Sequence, residues 1–441
     1  MRNRFVRWIG TTSVAAIVAT SSCVVVPLMS AAPAGAATTA TGNCAQADQS
    51  PGVTSKSITT GSLSTLTGPI ASNFMALVPG IKAYYSYINA VGGVNGRKLN
   101  LTYPLDDTGN PSQDVTLAHT LIDQDKVFAV AGTATAFFTP NYFVATCTPT
   151  FGYNVTGNWA GPPNLFAAGG SVQEYGTNTS SIIWAIRHVE KTPSVAVLAL
   201  GIAASHDSCA AYIPALKSAG IKVSYEDTNV SYGGSLVPDA QRMKAAGSNY
   251  VLSCMDIGTN LNLARALKQY NLKPKQMWLS GSDVNTLKAN QSLMNGVYFN
   301  ISHVPFTASQ STYPGLKTYL AAMKKYQPKY VYDEVAFQGW QSASLLATGL
   351  KGAGKNPTQL SLINAVNSLA DFNAGGMTTP VNWTSSGSGH NPPITYPTCS
   401  AYIQAKGTQF YSVFTKAPKV FLCFNQKNKN PVAAPPGTPG G

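Results

Sequence analysis

The sequence predicts an α/β protein built from two successive, doubly wound lobes, and three observations carry this. Short, near-continuous apolar runs recur along the chain, for example 127–131 (VFAVA) and 194–200 (SVAVLAL), as expected of parallel strands buried on both faces. Segments of helical period separate these runs, as parallel connections require. The alternation also runs through twice, with an irregular stretch near residues 157–175 between the two series. About 400 residues of mature chain are more than one hydrophobic core holds.

Residues 1–36 read as a secretory signal. Arg2, Arg4 and Arg7 form a basic start, 9–29 is mostly apolar, and Ala34-Gly35-Ala36 gives the small-x-small cleavage pattern. Thr11, Thr12, Ser13, Thr20, Ser21 and Ser22 interrupt the apolar stretch, which argues against a permanent anchor, and no later segment reaches the ~20 apolar residues of a spanning helix. Thr20-Ser21-Ser22-Cys23 keeps open a lipoprotein site with a lipid on Cys23, although the usual Leu three residues earlier is missing. The mature protein is therefore expected outside the cytoplasm, secreted or held at the cell envelope.

Residues 37–56, rich in Ala, Thr, Gly and Ser, read as a flexible linker. The first series then gives a strand at 57–63, a helix at 74–90, a strand at 98–103, a helix at 112–123 and a strand at 127–131. The second gives strands at 194–200, 222–225, 250–254, 276–279 and 297–301, with helices at 208–218, 238–246 and 260–270. Helices at 313–326, 332–350 and 357–369 follow, then β-rich sequence over 379–424. Residues 426–441 (QKNKNPVAAPPGTPGG) offer nothing to bury and read as a disordered tail. No internal sequence repeat is visible.

Charged residues make up only 11% of the chain, and its net charge is +13, three units of which lie in the signal. The basic residues are scattered, with no run longer than a pair such as Lys324-Lys325. A nucleic-acid groove needs clustered cations interleaved with aromatic residues, so nucleic acid is excluded as a partner. Seven cysteines become six once Cys23 leaves, an even set that reads as disulfides in an exported chain. No CxxC or CxxH spacing supports a metal site. Cys399 and Cys423 bracket a predicted hairpin that turns at Lys406-Gly407, so they form the pair the residues themselves support; the remaining pairings stay open here.

Catalysis finds little support. His119, His188, His206, His303 and His390 are far apart, with no HExxH pair. Gly339-Trp340-Gln341-Ser342-Ala343 comes nearest to a nucleophile elbow but lacks its second glycine. Phosphate-loop and dinucleotide fingerprints are absent, so no cofactor is expected. Asp106-Asp107, at a strand end before Asn110 and Pro111, read as turn and cap residues in preference to acid–base or metal groups. His206-Asp207-Ser208 are adjacent in sequence and cannot adopt triad geometry. Doubly wound sheets take ligands beyond the carboxyl ends of their strands, so a cleft between the lobes is the natural site.

Three stretches carry a resemblance. Gly61-Ser62-Leu63-Ser64 runs through Thr67-Gly68-Pro69. Ile88-Asn89-Ala90-Val91-Gly92-Gly93-Val94-Asn95-Gly96-Arg97-Lys98-Leu99 follows, and Asp106-Asp107 precede Asn110-Pro111-Ser112-Gln113. This order resembles the branched-chain amino acid and amide-binding family of periplasmic binding proteins, of the type I fold. The match is strongest over 57–150 and continues more weakly through 250–272 and 332–350.

The resemblance implies two Rossmann-like lobes joined by three crossovers. Residues 57–170 with 303–377 would form lobe 1, and 171–302 with 378–425 lobe 2. Such proteins close over a small-molecule solute and dock on the membrane permease of an ABC importer. In the family the first lobe grips an α-carboxylate at loops that here hold Thr133, Ala134, Thr135 and Ala136, then Tyr153, Asn154, Val155 and Thr156. Gly132, small residues after it and a helix starting at Phe137 would make an anion cradle. Ala136, where the family often has serine, departs from amino-acid recognition.

In the second lobe the resemblance places Asp256 where an aromatic lid is common and Asp283 near the usual acidic position. Two carboxylates facing one cleft favour a cationic or amine-bearing solute, with helix N-capping as the alternative role of each. Phe74 and Tyr332 would wall the pocket by stacking or pack in the core. Adjacent βα units would pair Cys209 with Cys254, leaving Cys44 for Cys147, and a bridge at Cys254 would stiffen the loop carrying Asp256. The expected role is capture of an amino acid, amide or related polar solute without turnover. A ligand-sensing receptor subunit and a secreted hydrolase are the alternatives.

Overall fold

The first apolar run forms β1 (Ser57–Ser64), whose last five residues are all buried. The computed structural model describes residues 44–170, 179–330, 332–384, 399–424 and 431–437. After β1 come α1 (Leu77–Ala90), β2 (Lys98–Leu101), β3 (Leu105–Asp106), α2 (Pro111–His119), β4 (Ala129–Ala134), α3 (Asn141–Ala145), β5 (Thr150–Gly152) and β6 (Leu165–Ala167). These strands build one parallel sheet in the order β2-β1-β4-β5-β6, with β3 extending the β2 side of β1.

The second series gives α4 (Thr179–Val189), β7 (Ser194–Leu200), α5 (Ala203–Ala210), α6 (Tyr212–Ser218), β8 (Lys222–Val230), α7 (Val237–Ala246) and β9 (Tyr250–Ser253). It continues with α8 (Ile257–Gln269), β10 (Lys275–Trp278), α9 (Val284–Ala289), α10 (Gln291–Met294) and β11 (Tyr298–Ile301). Helices α11 (Pro314–Tyr326), α12 (Glu334–Ala353) and α13 (Gln359–Val366) return to the first sheet. β12 (Cys399–Lys406), β13 (Gln409–Ser412), β14 (Phe421–Cys423) and β15 (Val432–Ala434) complete the second. Its parallel part runs β11-β10-β9-β7-β8, and β12, β14 and β15 add an antiparallel edge. Both sheets are thus doubly wound, and the chain passes between them three times: after β6, after β11 and after α13. The first and third passages include residues outside the described ones.

The Gly-Gly-Val-Asn-Gly-Arg stretch shows why this motif exists. α1 ends at Ala90, and Gly92 and Gly93 turn away with φ of 105° and 75°, a region open to glycine at little cost. Val94 and Arg97 then exchange backbone hydrogen bonds of 2.8 and 2.9 Å around Asn95 and Gly96, both left-handed. The Asn95 amide donates to the carbonyls of Leu350 and Gly354 at 2.9 and 2.8 Å, so this turn also holds the C-terminus of α12.

α12 lies against α1 with backbone touching backbone. A Cβ placed on Gly80 would sit 1.8 Å from the Ala336 carbonyl oxygen, and one on Gly339 would sit 2.0 Å from that of Leu77. Trp340 beside this contact packs edge-on to Tyr84, ring centroids 4.9 Å apart. Gly339 therefore serves helix packing, and Ser342 behind it is fully buried within α12.

Disulfides join Cys44 to Cys147, Cys209 to Cys254 and Cys399 to Cys423, the pairs named from the sequence. Cys399 and Cys423 face each other in the register of β12 and β14, and the predicted hairpin turn at Gly407 joins β12 to β13.

Several expectations require correction. The linker reading of 37–56 fails from residue 44 onward. Cys44 is buried and bridged, Ala47 has no exposed surface, and Gln49 accepts from the Gln359 N–H at 2.8 Å. A segment without an apolar run is ordered here by one covalent tie and borrowed backbone hydrogen bonds. The tail reading of 426–441 also fails at Val432–Ala434, which pair antiparallel with β14 and use an edge that would otherwise be unpaired. Residues 378–384, assigned to lobe 2, pack on lobe 1: Trp383 meets Phe166 edge-on at 5.5 Å and donates to the Leu369 carbonyl. Residues 1–36, read as a secretory signal, with Cys23 among them, and residues 37–43 lie outside the described residues. Among those described, no helix is long and apolar enough to cross a membrane.

Candidate functional site

In each sheet the winding direction reverses beside the first strand of its series, between β1 and β4 and between β7 and β9. At such points the loops leave in opposite directions and open a crevice at the carboxyl ends of the strands. The two crevices share one cavity of about 650 Å³, walled by both sheets. The first sheet contributes Phe74, Ala136, Tyr153, Asn154 and Thr156; the second contributes Ile202, Asp207, Asp256, Ile257 and Asp283. The segment entering α12 adds Lys329, Tyr330, Asp333 and Glu334.

The second-sheet wall is tightly held. The Ser205 hydroxyl accepts from the Leu200 N–H and donates to the Cys254 carbonyl, each at 2.8 Å, and so ties the loop after β7 to the loop after β9. The Cys209–Cys254 bridge fixes the same pair of loops covalently. Asn260 donates to the Met255 carbonyl at 2.9 Å, and so does Ser280. Tyr232, in the loop after β8, donates to the Pro69 carbonyl in the loop after β1, joining the two lobes beside the cavity.

Three helices start at this cavity, each with an aspartate at its N-cap. Asp256 accepts from the N–H groups of Gly258 (2.8 Å) and Thr259 (3.3 Å) at the start of α8. Asp283 accepts from Thr286 N–H at 2.5 Å in α9, and Asp333 from Ala336 N–H at 2.7 Å in α12. These bonds use one oxygen of each. The other oxygen of Asp256, a residue only 6% exposed, has no hydrogen-bond partner among the described residues.

Burial pushes the Asp333 carboxyl up to about 7, with Asp283 adding repulsion against the Ala336 hydrogen bond. Burial, then the neighbouring Asp333 charge, also pushes Glu334 up to about 7. The Tyr153 phenol lies well above its ordinary value through burial and the charges of Glu334 and Asp333. The carboxyls of α12 thus face Tyr153 of lobe 1 and Asp283 of lobe 2.

Of the residues named from sequence, the structure brings Phe74, Ala136, Tyr153, Asn154, Val155, Thr156, Asp256 and Asp283 to the cavity. Thr133, Ala134 and Thr135 do not line it. β4 runs three residues beyond the predicted strand and encloses Thr133 and Ala134, and Thr135, just past its end, is buried as well. The expected cradle is missing as well. Thr135 accepts from the Phe137 N–H at 3.1 Å in a local turn, Phe138 stacks on Trp159 at 4.3 Å, and α3 begins only at Asn141. Tyr332 is not in the wall; its ring meets Phe306 edge-on at 5.5 Å.

Asp106 is a turn residue. It accepts from the N–H groups of Leu66, Thr67 and Thr108 and shapes the loop after β1, while Asn110 caps α2. His206 bonds Asp207 at 2.8 Å, but Ser208 donates to the Ala204 carbonyl, so the three do not form a relay. Sequence reasoning missed Asp207, Asp333 and Glu334. The signal for the last two was a pair of acids opening an apolar helix in a chain with few acids.

A family model for periplasmic binding proteins matches residues 57–398. A fatty acid ABC transporter substrate-binding protein from Thermomonospora curvata superposes with a TM-score of 0.72 at 20% identity, covering 88% of this chain and 98% of that one. A branched-chain amino acid ABC transporter protein from Thermus thermophilus with bound valine gives a TM-score of 0.68 at 17% identity, covering 82% and 97%. Identities this low speak for the fold alone. An amino acid binding protein of Pseudomonas aeruginosa is 51% identical over 45 residues, 10% of this chain and 12% of that relative. The chain therefore aligns with only a small part of that relative's length.

Proposed function

Because the chain belongs to the periplasmic binding protein family, we propose that it captures a small solute outside the cytoplasm and delivers it to the membrane permease of an ABC importer. The observation that carries this reading is the single cavity walled by both sheets at their two switch points. A solute there touches both lobes, so its binding free energy favours the closed arrangement over the open one. Family and structural neighbours are binding proteins, and we read this chain as a non-enzyme on the same ground. Export by residues 1–36, with or without a lipid on Cys23, fits that role.

Amino acids and amides are the solutes the resemblance points to, and fatty acids and valine appear among the neighbours' ligands. The test is thermal shift of the purified protein against amino acids, amides, amines and carboxylic acids, with recovery of each hit. A compound that raises Tm and returns chemically unchanged supports capture; a hit recovered as a reaction product overturns it.

A further inference from the structure

We propose that the captured solute is an amphipathic ammonium ion, an amine with a bulky apolar body and no carboxylate; this rests on the capture function above. The argument begins with composition. The chain carries 30 basic and only 17 acidic residues. Among the described residues, five of those acids, Asp207, Asp256, Asp283, Asp333 and Glu334, line this one cavity against a single cation, Lys329. A basic protein has gathered its scarce carboxylates where a ligand would sit.

Their neutralisation is incomplete. The ion pairs among the described residues are His119–Asp123, His206–Asp207 and Lys217–Glu226, so four of the five cavity acids have no ionic partner there. Three are helix caps, and a helix start offsets only about half a charge. Asp256 keeps one buried oxygen with no hydrogen-bond partner among the described residues. Among the described residues no group of three or more His, Cys, Asp or Glu is placed to hold a metal ion. Carboxylates spread around a wall in this way suit an organic cation, whose charge is reached from several sides.

The rest of the cavity fixes the body of the ligand. Ile70, Phe74, Val155, Leu200, Ile202 and Leu279 line it, and Tyr153 and Tyr330 add aromatic residues of the kind that attract cations. The volume, about 650 Å³, is that of roughly twenty waters, ample for an extended alkyl or aryl chain. Among the described residues no arginine lines the cavity, and the side chains expected to cradle a carboxylate, Thr133 to Thr135, are buried in and just after β4.

The test uses the mature full-length protein and five probes: octylamine, octyltrimethylammonium, octanol, octanoate and leucine. Isothermal titration is run at pH 6, 7 and 8. The expected result is binding of both cations, at least tenfold tighter than octanol, with octanoate and leucine bound more weakly still. Affinity should rise with pH as Asp333 and Glu334 ionise. The titratable groups facing them are Asp283 at α9, Tyr153 after β5 and Tyr319 of α11, with Lys329 in the same wall. D283N and E334Q should each weaken octylamine at least tenfold; D333N, which keeps an acceptor at the cap, serves if either fails to fold.

Tighter binding of octanoate or leucine, or octylamine affinity untouched by the substitutions, overturns the ammonium reading while leaving solute capture intact. If no probe binds, the ammonium reading again falls, and capture then stands or falls on the wider compound screen.

Discussion

Replacing Gly339 with alanine tests the packing that positions the acidic end of α12. The added Cβ would lie 2.0 Å from the Leu77 carbonyl oxygen, 2.9 Å from its carbon and 3.1 Å from the Ile81 nitrogen. All three are backbone atoms, so no side chain can swing away and the helices must separate. Overpacking of this kind costs about 1–3 kcal/mol, and contact with rigid backbone argues for at least the upper end. Alanine returns about 1 kcal/mol of helix propensity, leaving a net loss of about 2 kcal/mol, or roughly thirtyfold in the folding equilibrium. The assay is urea denaturation followed by circular dichroism, with G352A as the control. Gly352 lies in the same helix but meets only the Ala365 methyl at 3.2 Å, so G352A should be near neutral. Equal stability of the two variants would refute the argument that α1 and α12 cross on their glycines.

The other predictions concern the tether, the lobe contact and pH. Removing the Cys44–Cys147 bridge, which spans 103 residues, should lower stability by between about 2 and 5 kcal/mol in denaturant titrations; an unchanged midpoint would show that the N-terminal segment docks without it. Y232F removes the hydroxyl that reaches Pro69 across the lobes and, at about 1 kcal/mol per hydrogen bond, should raise the solute Kd about fivefold in calorimetry, whereas unchanged affinity would mean the contact does not report closure. Asp333 and Glu334, raised to about 7, hold protons in the folded state that the unfolded chain has already released by then, so their contribution to stability falls as pH rises from about 4 to about 7. The double variant D333N/E334Q should therefore gain stability relative to wild type between pH 5 and pH 8 in denaturation experiments, and a difference independent of pH would contradict this.

Much of the fold was legible because buried parallel strands leave a simple trace. Ser194–Leu200 was found to the residue because six apolar residues follow Ser194 without a break and Gly201 ends the run. Failures occurred where a single contact outweighs composition. Cys44 and Val432–Ala434 lie in segments whose surroundings read as linker and tail, and one bridge or one vacant strand edge orders them. Phe137 and Phe138 looked like a helix start, but Phe138 is claimed by Trp159 and the Thr135 hydroxyl closes a turn instead. In the site, Asp256 and Asp283 were visible as acids at strand ends, and the structure places both in the cavity wall as helix N-caps. Thr133 to Thr135 were misplaced because the end of β4 cannot be read from a run of small residues that suits strand and loop equally. Asp333 and Glu334 escaped notice because they were absorbed into a helix assigned from its apolar stripe.

The most direct test of interlobe capture is to incubate the protein with filtered culture medium or cell extract, wash it, unfold it and analyse what is released by mass spectrometry. One small compound should appear in near-equimolar amount, identical to the form supplied, and it should be missing from A136W, which fills the shared wall of the cavity. A protein that releases nothing, an A136W variant that retains the same compound, or a released compound chemically altered from its source would contradict the account.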